Sequence, residues 1–535
     1  MKLKTKLLAG LFAVGLSAGS AHAVTFKYAF QGDLNALDGY SINESFTFGA
    51  LGNVMESLTA RDKDLNIIPA LAEKWEVVDP LKWRFYLRKG VKFHGGENFT
   101  ADDVLFSFKR VKHVDSQIKS RVPADAEAVK VDDHTVDFVL KTPNPILHSE
   151  WDTWHMWSKT YCEANGCADV QSSKATSLAP FALKANGTGP FTIASHEPGV
   201  KTVFKPNPNW WGKKQHNFDE VIFQTIKSDA TRVAALLSGE VDMIDPVPLQ
   251  DQDRVNASPN ARVLVGPEIR TIFFNMDQFR DELLYSSVKG KNPFKDVRVR
   301  KAFYQAIDVE AIKSKVMRGQ SVPSALMIAP ALFSRASEFK RHPYDPEASK
   351  KLLAEAGYPN GFEVQMDCPN DRYVNDEAIC QAATAMLARV GVKVTLLAQP
   401  KAKFFEKCGP TRGKPYDCSF AMLGWTPGSG DSWNVIASHA TCRDADGKGK
   451  VSPAAQASYG GYCNPKVDEL SLKILTETDI KKRDDMIAEA FRLMHEEISH
   501  IPLHQQALAW GVSKKVEMMQ RADNQILFYA ASKKE

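Results

Sequence analysis

Between Gly361 and Leu397 the apolar pattern changes period twice, and that change restricts the folds open to the chain. Phe362, Val364 and Met366 alternate with polar residues, as in a strand facing one core. Ile379, Ala383, Met386, Leu387 and Val390 then recur at helical spacing. Gly391 stands where a helix ends in the left-handed conformation, and Val392, Val394 and Leu396 alternate again. Strand, helix, strand predicts a parallel strand pair joined by a crossover helix, so the chain reads as α/β. A second such unit starts with Val221, Ile222, Phe223 and Ile226 as a mostly buried strand. Ser228 or Asp229 caps a helix carrying Val233, Leu236 and Leu237, because a short side-chain oxygen satisfies the free amides there. Gly239 stops that helix, and Val241, Met243 and Ile244 begin the next strand.

Two further helices have clear starts. Thr100 precedes Ala101-Asp102-Asp103, acids suited to the positive helix end. Asp345-Pro346 opens a helix from Glu347 to Ala356, with Gly357 beyond it. Lys82–Leu87 and the stretch Val131–Leu140, which alternates around Thr135 and Asp137, read as strands of a smaller, more antiparallel lobe. The segment Thr411–Gly461 is rich in Gly, Pro and Ser and reads as loop-like around Trp425 and Trp433, with Asp444–Lys450 an exposed loop.

The start of the chain predicts export. Lys2, Lys4 and Lys6 precede an apolar run, Leu7 to Leu16, and Ala21-His22-Ala23 fits a secretory cleavage site, so residues 1–23 read as a signal peptide. The run is shorter than the roughly 20 residues that span a bilayer. No cysteine follows it, so neither membrane insertion nor a lipid anchor is expected. The 512 residues from Val24 onward exceed what one core holds, since cores stop growing at about 250–300 residues, so two or three domains are expected. Without the three leading lysines the formal charge falls from +4 to +1, which argues against a nucleic-acid partner. All eight cysteines lie beyond the leader, and an even count in an exported chain points to disulfides. Sequence leaves 105 pairings open. Neighbour pairing is favoured, Cys162–Cys167, Cys368–Cys380, Cys408–Cys418 and Cys442–Cys463, because each loop is then short. No C-x-x-C or close Cys/His cluster suggests a metal site, and no cofactor is expected.

Signatures of catalysis are missing: there is no H-E-x-x-H, no G-x-S-x-G and no Walker loop. His495, His500 and His504 form the nearest group, but His500 and His504 flank Pro502, and a structural role is expected for them. A binding module is the better default for such an exported chain, with an exported hydrolase as the alternative of a different class.

Several segments resemble the family-five extracellular solute-binding proteins, the dipeptide, oligopeptide and nickel binders of ABC importers. The most specific runs from Trp83-Arg84-Phe85-Tyr86-Leu87 through Gly90-Val91-Lys92-Phe93-His94-Gly95-Gly96 to Phe99-Thr100-Ala101-Asp102-Asp103-Val104. Leu58-Thr59, Ile68-Pro69-Ala70-Leu71-Ala72-Glu73-Lys74-Trp75, Gly187-Thr188-Gly189-Pro190-Phe191 and Asn207-Pro208-Asn209-Trp210-Trp211-Gly212 match its earlier parts. Asp296-Val297-Arg298-Val299-Arg300-Lys301-Ala302 and Tyr344-Asp345-Pro346-Glu347-Ala348 match the start of its last large lobe. The resemblance implies a bilobal periplasmic-binding-protein fold (type II, cluster C) with an extra third domain. Lobe I would comprise 24–66, 190–275 and 506–535, lobe II 67–189 and lobe III 276–505. Two crossing strands, with Thr271–Asn275 and Leu503–Gly511 as candidates, would hinge lobe I to lobe III. It also implies a monomeric periplasmic protein that delivers short peptides to an inner-membrane permease and its ATPases. A non-peptide solute is the alternative: an opine, a phosphorylated sugar conjugate, a metal chelate or haem.

Ligand contacts in this family cluster in a loop that reads here Gly424-Trp425-Thr426-Pro427-Gly428-Ser429-Gly430-Asp431-Ser432-Trp433. In the dipeptide binders a matching loop supplies an acid for the ligand's α-amine, and Gly428 stands in its place here. Asp431 either takes over that role or caps the following segment. Trp425 and Trp433 offer flat apolar walls, against the alternative of core packing. Asn370-Asp371-Arg372-Tyr373 follows a strand end, where open α/β sheets place ligands. Arg372 can pair with a carboxylate or phosphate, or with Asp371 or Asp376 at the surface. Asn275, in the first crossing strand, is a further candidate contact. Trp151, Trp154 and Trp157, three apart, read first as packing within their lobe.

Overall fold

The computed structural model describes residues 23–34, 36–172, 175–408, 416–443 and 460–534. The predicted leader up to His22 and the predicted loop Asp444–Lys450 lie outside the described residues.

The periodicity readings become elements. Glu363–Pro369 and Lys393–Gln399 pair in parallel, joined by the helix Asp376–Ala388, and Gly391 turns the chain at φ +89. Glu220–Thr225 and Met243–Asp245 are joined by the helix Asp229–Ser238. Of the two possible caps for that helix Ser228 is used, its side chain accepting from the Thr231 amide, and Gly239 ends it in the left-handed region. The strand Thr25–Phe30 inserts between these two strands, parallel to both.

These units belong to one mixed sheet of eleven strands among the described residues. Its order is Lys393–Gln399, Glu363–Pro369, Phe420–Trp425, Ala261–Met276, Ile501–Ser513, Met243–Asp245, Thr25–Phe30, Glu220–Thr225, Lys201–Pro206, Phe191–Glu197, with Ser321–Pro323 attached to Ile501–Ser513. The two long central strands, Ala261–Met276 and Ile501–Ser513, are antiparallel partners over most of their length, and they contain both predicted crossing segments. Their ladder is irregular between Pro267 and Thr271 and again between Ile272 and Phe273. Such irregularities bend a strand and increase its twist. Among the described residues, the strands of the sheet's two halves are therefore hydrogen-bonded to each other only through this bent pair.

A separate four-stranded antiparallel sheet has the order Ala72–Asp79, Lys82–Leu87, Thr135–Val139, Glu127–Asp132. The stretch read as one strand from Val131 to Leu140 is in fact a hairpin corner. Asp132 accepts the His134 amide at 2.7 Å, and this turn ends one strand and starts the next. Against the sheet packs the helix Ala101–Val111, opened by a capping box of Thr100 and Asp103. Phe85, Phe138, Trp151, Trp154 and Trp157 are buried in a core continuous with Phe26, Tyr28 and Trp510 of the large sheet. The three tryptophans are core, as expected, but they lie on irregular chain rather than on a helix face. Two other clusters fill the far half, around Phe303, Phe362 and Phe420 and around Phe273, Val435 and Phe491. His495 stacks on His342 with ring centres 4.5 Å apart, and His500 and His504 are buried.

The four cysteine pairs are those favoured by neighbour pairing: Cys162–Cys167, Cys368–Cys380, Cys408–Cys418 and Cys442–Cys463. No helix among the described residues is long and apolar enough to cross a membrane.

One buried ion pair ties the segment after Thr25–Phe30 to the helix Ala101–Val111. Arg110 donates to both Asp38 oxygens at 3.0 and 2.7 Å, and both side chains are inaccessible to solvent. Its remaining donors reach the Cys167 and Asp169 carbonyls, while Asp38 also accepts the Tyr40 and Gln171 amides. Removing one member leaves a buried charge uncompensated. Asp38→Ala is expected to lower the unfolding free energy by about 3–5 kcal/mol in equilibrium urea denaturation, and a loss under about 1 kcal/mol would contradict this role.

Candidate functional site

The register of the central strands brings two sets of strand ends together. Met243–Asp245 reaches its carboxyl end beside Ile501–Ser513, with Ile244 opposite Gly511 and Gly511 opposite Val263. From the other half, Phe420–Trp425 reaches its carboxyl end with Trp425 opposite Thr271. Both sets of carboxyl ends thus converge on the stretch Val263–Thr271 of one long strand. Parallel α/β sheets bind ligands in the crevice outside such ends, and here two crevices share one floor.

The groups around that floor form a chain of polar contacts. Glu268 lies 3.3 Å from the Arg270 guanidinium. Arg270 Nε donates to Thr426 Oγ1 at 3.1 Å, so the floor is bonded to the loop that follows Trp425. The Arg270 guanidinium is 5.9 Å from the Tyr373 ring centre, and that of Arg372 is 5.4 Å from it. Tyr373 donates its hydroxyl to the Gly424 carbonyl at 3.3 Å. Only glycine fits at 424, because a Cβ there would come within 2.7 Å of Tyr373 and 2.8 Å of Ile272. On the opposite side, Asp245 accepts from Asn524 at 3.3 Å. Burial pushes its carboxyl up to about 7, and the neighbouring Glu268 charge adds to the rise.

Sequence reasoning singled out seven ligand contacts, and the structure places them differently from one another. Arg372 is exposed and its guanidinium makes no hydrogen bond or ion pair among the described residues. Both acids that might have paired with it are engaged elsewhere. Asp376 accepts the amides of Arg372, Tyr373 and Glu377, and Asp371 accepts the Lys401 amide. Tyr373 is buried beside Arg372, whereas Asn370 is exposed at the strand end. Asp431 caps the helix Ser432–His439 through the Trp433 amide, and it also pairs with Arg483 through both oxygens at 2.8 and 2.9 Å. Trp433 donates to the Ser471 carbonyl and packs on the core, in the first turn of that helix rather than in a loop. Trp425 ends its strand, donates to Asn434 and meets the His439 ring edge-on at 4.5 Å. Both tryptophans keep part of their surface exposed. Asn275 has no exposed surface and donates to the Tyr416 hydroxyl at 2.5 Å, which makes it a core residue. Gly428 is exposed, with open space where a side chain would point.

Contacts also cross from the smaller sheet's side. Arg61 pairs with Asp152 at 2.6 Å and reaches over to the Ser429 carbonyl at 2.9 Å. Leu65, Ile269, Ala329, Leu332 and Ala522 form a small apolar cluster drawn from both sides of the crevice. Glu150 lies half-buried near Asp431, and desolvation raises its carboxyl to about 7. Asp245, Glu268, Arg270 and Arg61 were not found from sequence. The available signal was Glu268 and Arg270, two charges at alternate positions flanked by the apolar runs Val263–Val265 and Ile272–Phe274.

Comparison with known proteins agrees with this architecture. The profile of the bacterial extracellular solute-binding proteins, family 5 (middle), matches residues 66–447, and the chain belongs to that family. It is 26% identical to the dipeptide-binding protein of Escherichia coli (strain K12), over 95% of each chain. It is 28% identical to haem-binding protein A of Haemophilus influenzae, over 82% of this chain and 79% of the relative. Among solved structures, the periplasmic binding protein DppA of Helicobacter pylori in complex with the peptide STSA superposes with a TM-score of 0.75 at 22% identity, covering 96% of this chain and 98% of that one.

Two outcomes follow from these placements. Asp431→Asn keeps an oxygen for the cap and loses the ion pair. It is expected to cost about 1–3 kcal/mol of stability, while ligand affinity measured well below the melting temperature stays within about threefold of wild type. A larger affinity loss with unchanged stability would make Asp431 a ligand contact. The second outcome concerns pH. Glu150 and Asp245 are held neutral in the fold up to about pH 7, whereas the unfolded chain releases their protons from about pH 4. The folded state therefore binds more protons in this window, and stability falls as pH rises through it, levelling off above. Urea midpoints at pH 5 and 8 should differ less in Glu150→Gln than in wild type, and equal differences would contradict the assignment.

Proposed function

We propose that this chain is the exported capture component of an ABC importer, holding a short peptide in the double crevice and presenting the loaded form to an inner-membrane permease. The observation that carries the reading is the unpaired Arg372 guanidinium beside Tyr373 at the converging strand ends. It supplies a planar cation where a ligand carboxylate would lie, and charge-assisted forks of this kind bind carboxylates bidentately. A relative named for dipeptide binding and another solved with the peptide STSA support a peptide as the solute. In this reading the leader is cleaved after Ala23 and the mature protein works in the periplasm as a monomer, binding its solute without turning it over. Lobe I is 24–66, 190–275 and 506–535, lobe II is 67–189 and lobe III is 276–505. The bent strand pair lets lobe III swing against the other two. A ligand touching both sides favours the closed state by its differential affinity, so the permease can tell loaded from empty protein.

The open space at Gly428 favours a second reading, a solute without a free amine such as an opine or a phosphorylated sugar conjugate. Native mass spectrometry of the purified mature protein separates the two. A ladder of short-peptide masses released on denaturation is the expected result, and a single non-peptide mass would overturn the peptide reading. Arg372→Ala is expected to weaken binding of the released peptides by about 10- to 100-fold in calorimetric titration, as loss of a charged hydrogen-bond pair implies. Unchanged affinity would remove Arg372 from the site.

A further inference from the structure

We propose that Glu268, on the floor of the crevice, is the acceptor for the ligand's ammonium group, with Arg372 at the opposite end of the ligand taking its carboxylate. This rests on the peptide reading above and names the chemistry that reading lacks.

A peptide zwitterion brings a cation as well as an anion into the crevice, and a buried ammonium must be paired. The loop from Thr426 to Trp433 carries a single acid, Asp431, and its two oxygens are held by Arg483 and by the helix amide. Asp371 and Asp376 are engaged by backbone amides. Asp152 pairs with Arg61, its other oxygen is buried without a hydrogen bond but lies 3.9 Å from the second cation Arg121, and Glu150 accepts from Asn144.

Glu268 differs from all of these. It is 5% exposed, one carboxylate oxygen faces Arg270 at 3.3 Å, and the other, Oε2, is buried with no partner among the described residues. An unpartnered carboxylate oxygen is costly to bury, and the cost is relieved by a donor that arrives from outside. The electrostatics select a cationic donor. Burial and the nearby Glu268 hold the second acid, Asp245, toward its neutral form, and Arg270 is the one cation bonded to Glu268 among the described residues, so two acids share one positive charge. An ammonium offers three donors and a positive charge, and it satisfies both deficits. Position agrees with chemistry. Glu268 lies between Val263 and Thr271, where the strand ends of both halves converge, and Arg270 links it to Thr426 of the loop. The free negative oxygen belongs to the floor and the free positive fork to the rim of one half. A ligand with opposite charges at its two ends matches both.

The test uses the mature protein stripped of ligand, offered an equal mixture of a casein hydrolysate of short peptides and the same hydrolysate acetylated at its amines. Bound masses are read by native mass spectrometry. Wild type is expected to take free-amine peptides over acetylated ones by at least about 10- to 100-fold, the worth of a charged hydrogen-bond pair. Glu268→Gln, with its melting transition checked, should reduce that preference to under about threefold, while Asp431→Asn should keep it. Wild type that binds free and acetylated peptides equally would overturn the proposal without any variant. So would an unchanged preference in Glu268→Gln, or one lost in Asp431→Asn alone. Wild type that binds neither set would fail the peptide reading itself, and this proposal with it.

Discussion

The structure depends on the antiparallel pairing of Ala261–Met276 with Ile501–Ser513. Among the described residues, the strand ladder of the large sheet passes from one half to the other only through this pair. Its register decides which strand ends meet, and its irregularities at Pro267–Thr271 and Ile272–Phe273 fall just where they meet. A regular ladder would keep the halves flat and coplanar. A bulged one bends, and the bend places a crevice of each half over a common floor. The place where the pairing is irregular is also the place where the polar groups of the candidate site gather.

Charge is distributed around that floor in two distinct ways. Arg110 with Asp38, wholly buried, and Arg483 with Asp431, partly exposed, are closed pairs satisfied by further bonds. They fix the geometry of the two sides. Glu268 and Arg372 are incomplete, one with a buried oxygen lacking a donor and the other with a guanidinium lacking an acceptor. Glu268 is buried, where an unpartnered polar atom is costly and an incoming donor relieves the cost, whereas Arg372 is exposed and its guanidinium is open to an acceptor from solvent. The same contrast shows at Asp431, whose oxygens are held by a helix amide and by Arg483. Its partner Arg483 arrives from a helix 52 positions later in the chain.

Much of the fold was legible because its signals are local. The period changes around Phe362–Leu396, the caps at Thr100, Ser228 and Asp345, and the stop at Gly239 all became the expected elements. The neighbour pairing of cysteines was legible for the same reason, since each loop is short. The turn at Asp132–His134 was missed although the alternation changes phase there, from Val129 and Val131 to Val136, Phe138 and Leu140, because its Asp-Asp-His interruption reads as polar positions of one strand. The site was less legible, because its members come from strands that meet only in the folded sheet. Arg372 and Tyr373 could be placed from a strand end. Asn275 shares that strand logic but sits on the ladder itself, where it holds Tyr416 in the core. Glu268 and Asp245 lie 23 positions apart, and their proximity is created by a strand, Ile501–Ser513, from the far end of the sequence.

The central claim of this account is that the two halves move about the bent strand pair and that ligand holds them closed. Small-angle X-ray scattering of the stripped protein, before and after saturation with its own released ligand, tests this directly. The account predicts a smaller radius of gyration and a more compact distance distribution in the loaded protein. An unchanged profile with ligand stoichiometrically bound would contradict it and describe a rigid receptor in which the strand pair is a fixed joint.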